Sequence, residues 1–283
     1  MSLLFIGRST FDLGYVCPAF PEENSKLSAA NFWTGAGGCA LNAAVTARAL
    51  GSEVRLLTLL GGGPFATAVH EELVRYEVPA EDFARPGDEV LPVSSIVVVP
   101  AHGSRTIINQ QPPQGIVREP DIAALLDGVA MVLVDGHLPD LAVPLCREAR
   151  SRRIPVVLDG GSWKSWTGEI MPHVDCAIVS AGFHPGGVQA SDLLAAVHAL
   201  GPGEAAVTRG ARPLEWSDGK QRGEIAPPQV EAIDTLGAGD IFHGAFCHFR
   251  ASGDDFPTAL ERASDVAAES CRHFGTRAWI DAL

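Results

Sequence analysis

The run Asp234-Thr235-Leu236-Gly237-Ala238-Gly239-Asp240 leads without a break into Ile241-Phe242-His243-Gly244-Ala245-Phe246. Small residues at 237–239 just before an apolar helical stretch expose backbone N–H groups at a helix N-terminus. Such a turn holds a phosphate by direct hydrogen bonds and by the positive end of the helix dipole. Glycine suits it because a Cβ would keep the anion away from the backbone. Asp240, in the first turn, then lies beside the anion, where a carboxylate can take the proton of an attacking hydroxyl. Gly-Ala-Gly-Asp alone would equally describe a loop with an Asp cap. The whole thirteen-residue run does not reduce to that.

Outward from this turn, short apolar runs alternate with longer helical stretches. Strands are expected at 3–6, 54–60, 130–134, 156–158, 176–179 and 205–208. Helices are expected at 38–50, 65–76, 140–152, 188–200, 239–251 and 257–273. That rhythm predicts an α/β fold, a mostly parallel sheet flanked by helices on both faces. Segments 13–34 and 91–111 break the rhythm with alternating stretches such as Val93-Ser94-Ser95-Ile96-Val97-Val98-Val99. The second carries His102-Gly103-Ser104 as a hairpin turn between its arms. Together they predict a small β-sheet projecting from the main domain, which the pattern alone leaves as either a lid over a site or a decorative hairpin. No repeat or charged linker divides the chain, so residues 1–283 are read as a single domain.

Hydrophobic residues make up 46% and charged residues 19%, an ordinary globular balance. The net charge of −13 argues against nucleic acid or an anionic membrane as partner, since both need a basic footprint. Cysteines at 17, 39, 146, 176, 247 and 271 form no C-x-x-C pair, so neither a zinc site nor a redox dithiol is suggested. The N-terminal apolar run lacks a basic flank and ends at Gly7, which points to a cytoplasmic protein.

Residues 234–246 resemble the second signature of the PfkB, or ribokinase-like, carbohydrate kinases. Gly37-Gly38-Cys39-Ala40-Leu41-Asn42-Ala43-Ala44 resembles the first, and Gly7-Arg8-Ser9-Thr10-Phe11-Asp12 the family's opening strand. The resemblance runs the full length, in order, nearest to the fructose-type ketohexose kinases. It implies an ATP- and Mg²⁺-dependent kinase, with Gly237, Ala238 and Gly239 as anion hole and Asp240 as base. It further implies that Asp12 and Asn42 bind substrate hydroxyls while Gly38 lets the substrate approach the backbone. Lys164, Thr208, Gly210 and Gly275 would contact the nucleotide. Lys26 and Asn109, in or beside the lid with Arg105, would contact the sugar, a cation suiting an anionic substituent. A homodimer through the lid is expected from its unpaired edges.

Three features depart from the pattern. Ser180-Ala181-Gly182-Phe183 replaces the family's Asn-x-x-Glu, which leaves the metal ligands unknown. Pro213 stands where a glycine is common, and Gly61-Gly62-Gly63 lacks a frequent Asp. A dinucleotide fingerprint at Gly35-Ala36-Gly37-Gly38-Cys39-Ala40 is set aside, because the whole lid segment separates it from the first strand. No P-loop motif occurs. A nucleoside kinase, with Phe32 and Trp33 stacking a base, and a catalytically silent ligand sensor stand as alternatives.

Overall fold

In the computed structural model, which describes residues 2–85, 87–99, 101, 104–110, 118–187 and 191–283, the apolar runs pair into a nine-stranded sheet. From one edge it runs β13 (Arg222–Ile225), β12 (Arg212–Ser217), β11 (Glu204–Arg209), β10 (Cys176–Ser180) and β9 (Val156–Gly160). It continues through β8 (Val129–Val134), β1 (Ser2–Ile6), β4 (Val54–Thr58) and β5 (Ala80–Asp82). From β11 to β5 all neighbours are parallel; β12 and β13 add an antiparallel hairpin at the edge.

Successive side chains of a strand point to opposite faces, and here both faces are covered. Leu3, Phe5, Met131, Leu133 and Ile178 pack into one core with α1 (Cys39–Ala49), α7 (Ala238–Ala251) and α8 (Phe256–Ser270). Leu4, Ile6, Val132, Val134 and Val179 pack into the other with α4 (Pro139–Ser151) and α6 (Leu193–His198). Among the described residues the remaining α-helices are α2 (Pro64–Arg75) and the single turns α3 (Ile122–Leu125) and α5 (Thr167–Ile170). Helices α1 and α7 meet at close range because Gly244 has no side chain. A Cβ there would lie 2.2 Å from the Ala43 carbonyl oxygen. This contact brings Asn42 and Asp240, 198 residues apart, to the same place.

A separate four-stranded sheet has the order β3 (Asn31–Gly37), β2 (Thr10–Val16), β6 (Val93–Val99), β7 (Ser104–Asn109). It is built from both segments that broke the strand–helix rhythm. His102 and Gly103 of the expected turn lie outside the described residues, as do the first three positions of the expected helix 188–200, whose described part is the six-residue α6. Asp12 requires a correction. It is not at the end of the opening strand, which stops at Ile6; the chain crosses over at Gly7–Ser9, and Asp12 lies in β2 of the small sheet. The short β5 and the β12–β13 hairpin were not anticipated. Neither carries a long apolar run, and each is an edge element half exposed to solvent.

Candidate active site

The parallel strands β1, β8, β9, β10 and β11 all end on one side of the large sheet, and α7 begins there. In open α/β sheets the crevice beyond the carboxyl ends of the strands is where ligands bind. Gly237 caps α7 at φ 70°, a left-handed conformation that favours glycine, and a Cβ on it would lie 2.7 Å from Thr276 Cγ2. Gly239 has the opposite surroundings, since nothing lies within 4 Å of where its Cβ would be. The backbone of the first turn therefore faces open space. A cavity of about 400 Å³ adjoins it, lined by Thr208, Gly210, Ala238, Gly239, Phe242 and Ala267 among others.

Asp240 follows the lining residue Gly239 in the first turn of α7. Its Oδ2 accepts a hydrogen bond from Asn42 Nδ2 at 2.7 Å, and the Cys39 thiol also bonds it. Burial pushes its carboxyl up to about 6, and the like charge of Asp159 at the end of β9 adds to the rise. The bonds from Asn42 and Cys39, and nearby His243, work in the opposite direction. A carboxyl with a pKa near neutrality is poised to accept and release a proton. Asp159 is itself raised by burial; His243 Nδ1 is 3.5 Å from it and Lys164 also acts on it. His243 is buried, with its Nδ1 2.7 Å from the Gly239 carbonyl oxygen and its Nε2 3.2 Å from that of Ile178. It braces the start of α7 from behind and does not face the cavity.

Asp159, Asp240 and Cys39 bring one potential ligand atom each to within 4.8 Å of one another. The two carboxylates fit Mg²⁺, a hard cation that takes oxygen ligands and shares them with phosphates. Cys39 does not fit. Burial holds its thiol well above the ordinary range, so it remains protonated. After β10 Ser180 Oγ donates to the Gly161 carbonyl oxygen and accepts the Gly182 N–H; a buried carboxylate, Asp159, stands at the end of the neighbouring strand β9. Asp159 has no signal in the sequence, because an Asp before two glycines carries no motif by itself.

The small sheet contributes a row. Paired residues share a face of a sheet, and Gly35, Asp12, Ser94 and Asn109 are paired in that order across its four strands. Asp12 is buried, takes a bond from Thr10 Oγ1 at 2.7 Å, and is raised by burial against bonds from Thr10 and Ser94. Trp33, paired with Gly14, is on the same face as Asp12, whereas Phe32, paired with Tyr15, is on the other. Arg105 of β7 donates to Thr235 Oγ1, so this sheet already touches the loop before α7.

Four sequence expectations change. Lys26 is exposed in the loop beyond Val16. That end of β2 is four strand residues from Asp12, roughly 13 Å at about 3.3 Å each, and Lys26 is not among the residues paired in the row. Gly38, at φ 102°, is required by the chain itself, because a Cβ would lie 2.2 Å from the Arg8 carbonyl oxygen. Lys164 does not line the cavity with Thr208 and Gly210; its Nζ is 3.4 Å from the Asp135 carbonyl oxygen, on the Asp159 side. Gly275 also lies outside that cavity. Its N–H donates to Asp234 Oδ2, tying the C-terminal loop to the turn before α7.

Arg277 was not anticipated at all. Its Nη1 donates to Asn42 Oδ1 at 2.8 Å, its Nε to Glu72 Oε1 at 2.9 Å and its Nη2 to the Ala36 carbonyl oxygen at 3.1 Å. A single Arg near a C-terminus, bonded to a residue 235 positions away, leaves no mark in sequence.

A family model described as pfkB family carbohydrate kinase matches residues 1–282. Ribokinase of Bacillus subtilis (strain 168) is 25% identical over 280 residues, 98% of this chain and 94% of the relative. Fructoselysine 6-kinase of Shigella flexneri is 27% identical over 288 residues, 98% of this chain and 99% of the relative. Among solved structures, ribokinase from Giardia lamblia superposes with a TM-score of 0.84 at 19% identity, covering 99% of this chain and 97% of that one. At that identity it is the fold that is alike. Among the described residues no helix is long and apolar enough to cross a membrane.

Proposed function

Because the chain belongs to the pfkB family of carbohydrate kinases, which are ATP-dependent phosphotransferases acting on small sugars, we propose that it phosphorylates a hydroxyl of a ketohexose-type sugar with Asp240 as base. One observation carries this reading. Asp240 directly follows Ala238 and Gly239, which line the cavity at the start of α7, and its carboxylate accepts the Asn42 amide of α1.

In this reading ATP occupies the cavity, its adenine against Phe242 and Ala267 and its phosphates toward Gly237, Ala238 and Gly239. Thr208 and Gly210 line the same space, and Lys164 lies outside it, beside Asp135 and near Asp159. Asp12, Asn42, Ser94 and Asn109 orient the sugar. Asp240 takes the proton as the hydroxyl oxygen attacks the γ-phosphate, and the N-terminal N–H groups of α7 stabilise charge on the phosphoryl oxygens. Asp159 and Asp240 would hold Mg²⁺, which supplies neutralising charge to the phosphates. Contact of the small sheet with the loop before α7, through Arg105 and Thr235, is how a lid would exclude water as a competing acceptor.

The ketohexose assignment draws on the likeness of residues 234–246 to fructose-type kinases and on a relative named for a fructosyl compound. Trp33 on the Asp12 face favours a second reading, a nucleoside kinase with the indole stacked on a base. A coupled ADP-release assay on fructose, sulfofructose, ribose and adenosine separates them. The reading expects the highest kcat/KM with a ketohexose; turnover of adenosine alone replaces it with the nucleoside kinase. A cytoplasmic location and a homodimer through the exposed β3 or β7 edge of the small sheet, where Phe32 and Ile108 are uncovered, belong to the same proposal.

A further inference from the structure

We propose that Arg277 is a positioning residue for the phosphoryl transfer, orienting the Asn42 amide so that it donates to Asp240 and tying the base to the root of the small sheet. The inference rests on the reading of Asp240 as base. Its physical content begins with the donor inventory. A guanidinium carries five donors and no acceptor. Only Oδ1 of Asn42 can therefore face Arg277, which leaves Nδ2 for the Asp240 carboxylate. The two bonds form a chain in which the guanidinium draws on the amide oxygen and makes the amide N–H a stronger donor.

Arg277 is itself fixed from several sides. Glu72 of α2 accepts its Nε and also accepts the Ala36 N–H through Oε2 at 2.8 Å. The Ala36 carbonyl oxygen accepts Nη2, and Thr276 Oγ1 accepts Nη1 at 2.9 Å. Tyr76 lies 5.7 Å from the guanidinium carbon, a cation–π contact. Both partners of the Arg277–Glu72 pair are largely buried, at 14% and 19% exposure. In that setting the geometry is held far more firmly than in a surface pair. Ala36 is in the last turn of the pleat before α1 begins, so one side chain spans α1, α2, β3 and the C-terminal loop. The Arg277 charge also acts on Asp12 at the centre of the sugar row.

Asp240 is faced by Asn42 and Cys39 from α1, by Asp159 from β9 and by His243 from its own helix. Asn42 is the one of these that both donates to Asp240 and has its other amide end held by a charged side chain, Arg277. Losing Arg277 leaves Oδ1 unpaired and the amide free to turn, which weakens the bond that stabilises ionised Asp240.

The test compares wild type with Arg277→Met, which keeps much of the length and removes every donor, and with Arg277→Lys, which keeps the charge and loses the fork. Two quantities are measured: kcat and KM with ATP and Mg²⁺ saturating in turn, and the Asn42 side-chain amide resonances by NMR in the protein without substrates. The proposal expects kcat to fall about tenfold or more, as loss of a charge-assisted bond allows, with KM for ATP within about twofold. It also expects the Asn42 amide protons, held by Asp240 in the wild type, to shift and to exchange faster with water in both variants. Should Arg277→Met not fold, Arg277→Lys carries the same expectation. A folded variant with unmoved Asn42 amide resonances and kcat within about twofold overturns the proposal. If Asp240→Asn proves fully active, the base reading fails; the Asn42 amide resonances still decide the Arg277 claim on their own.

Discussion

The two sheets hold their functional side chains in opposite ways. On the large sheet's carboxyl edge, Asp240, Asn42 and Asp159 sit among packed helices and strand ends, with partners drawn from residues 39–42, 159, 243 and 277. On the small sheet, Asp12 is buried, but the row opens outward and Asn109 at its far end is exposed. The difference shows where each property is encoded. On the proposed reading, phosphoryl chemistry, which needs fixed geometry, lies where packing is dense, and sugar choice lies on an edge where side chains change without disturbing the core.

The strongest way to break this comparison is at the anion turn. Gly239→Val adds a side chain into space with no neighbour within 4 Å, so the fold survives while the phosphate cradle is filled. Phosphoryl transfer is expected to fall by at least about 10²-fold, the worth of a lost anion-hole donor, with an unchanged circular dichroism spectrum. Full activity in the folded variant would show that the turn is not the anion hole.

A smaller effect tests the electrostatics. Asp240 acts when ionised, and its carboxyl is raised to about 6, so kcat is expected to fall as pH drops through that value. Asp159→Asn removes the like charge and leaves the opposing influence of His243. The acidic limb therefore shifts to lower pH, whatever happens to the plateau. An unshifted limb would mean that Asp159 does not act on the base. The smallest effects belong to the small sheet. Asn109→Ala is expected to raise KM for the sugar by about three- to tenfold, the range of one hydrogen bond, with kcat nearly constant. Lys26→Ala is expected to change neither constant; a raised KM there would show that the 17–30 loop folds over the site.

The same contrast explains what the sequence made legible. The turn at 237–239, Asp240 and Asn42 announce themselves because glycine and carboxylate are demanded by local backbone and chemistry. The parallel strands announce themselves as apolar runs. Arg277, Asp159 and the bracing role of His243 depend on where distant elements meet, and no local pattern records that. Lys26 lies in the loop between β2 and β3, where its place relative to the Asp12 row depends on the path of that loop and not on any local pattern. Gly38 looked like a substrate-facing glycine, yet its requirement comes from the Arg8 backbone packed against it.

The central claim is that Asp240 activates the acceptor hydroxyl, and the most direct measurement is single-turnover phosphoryl transfer by Asp240→Asn beside nucleotide binding by calorimetry. The amide preserves shape and an acceptor oxygen for Asn42 but cannot take the proton. The account expects the transfer rate to fall by about 10²–10⁴-fold, the usual worth of a general base, with ATP affinity retained. Transfer at close to the wild-type rate would remove Asp240 from the chemistry.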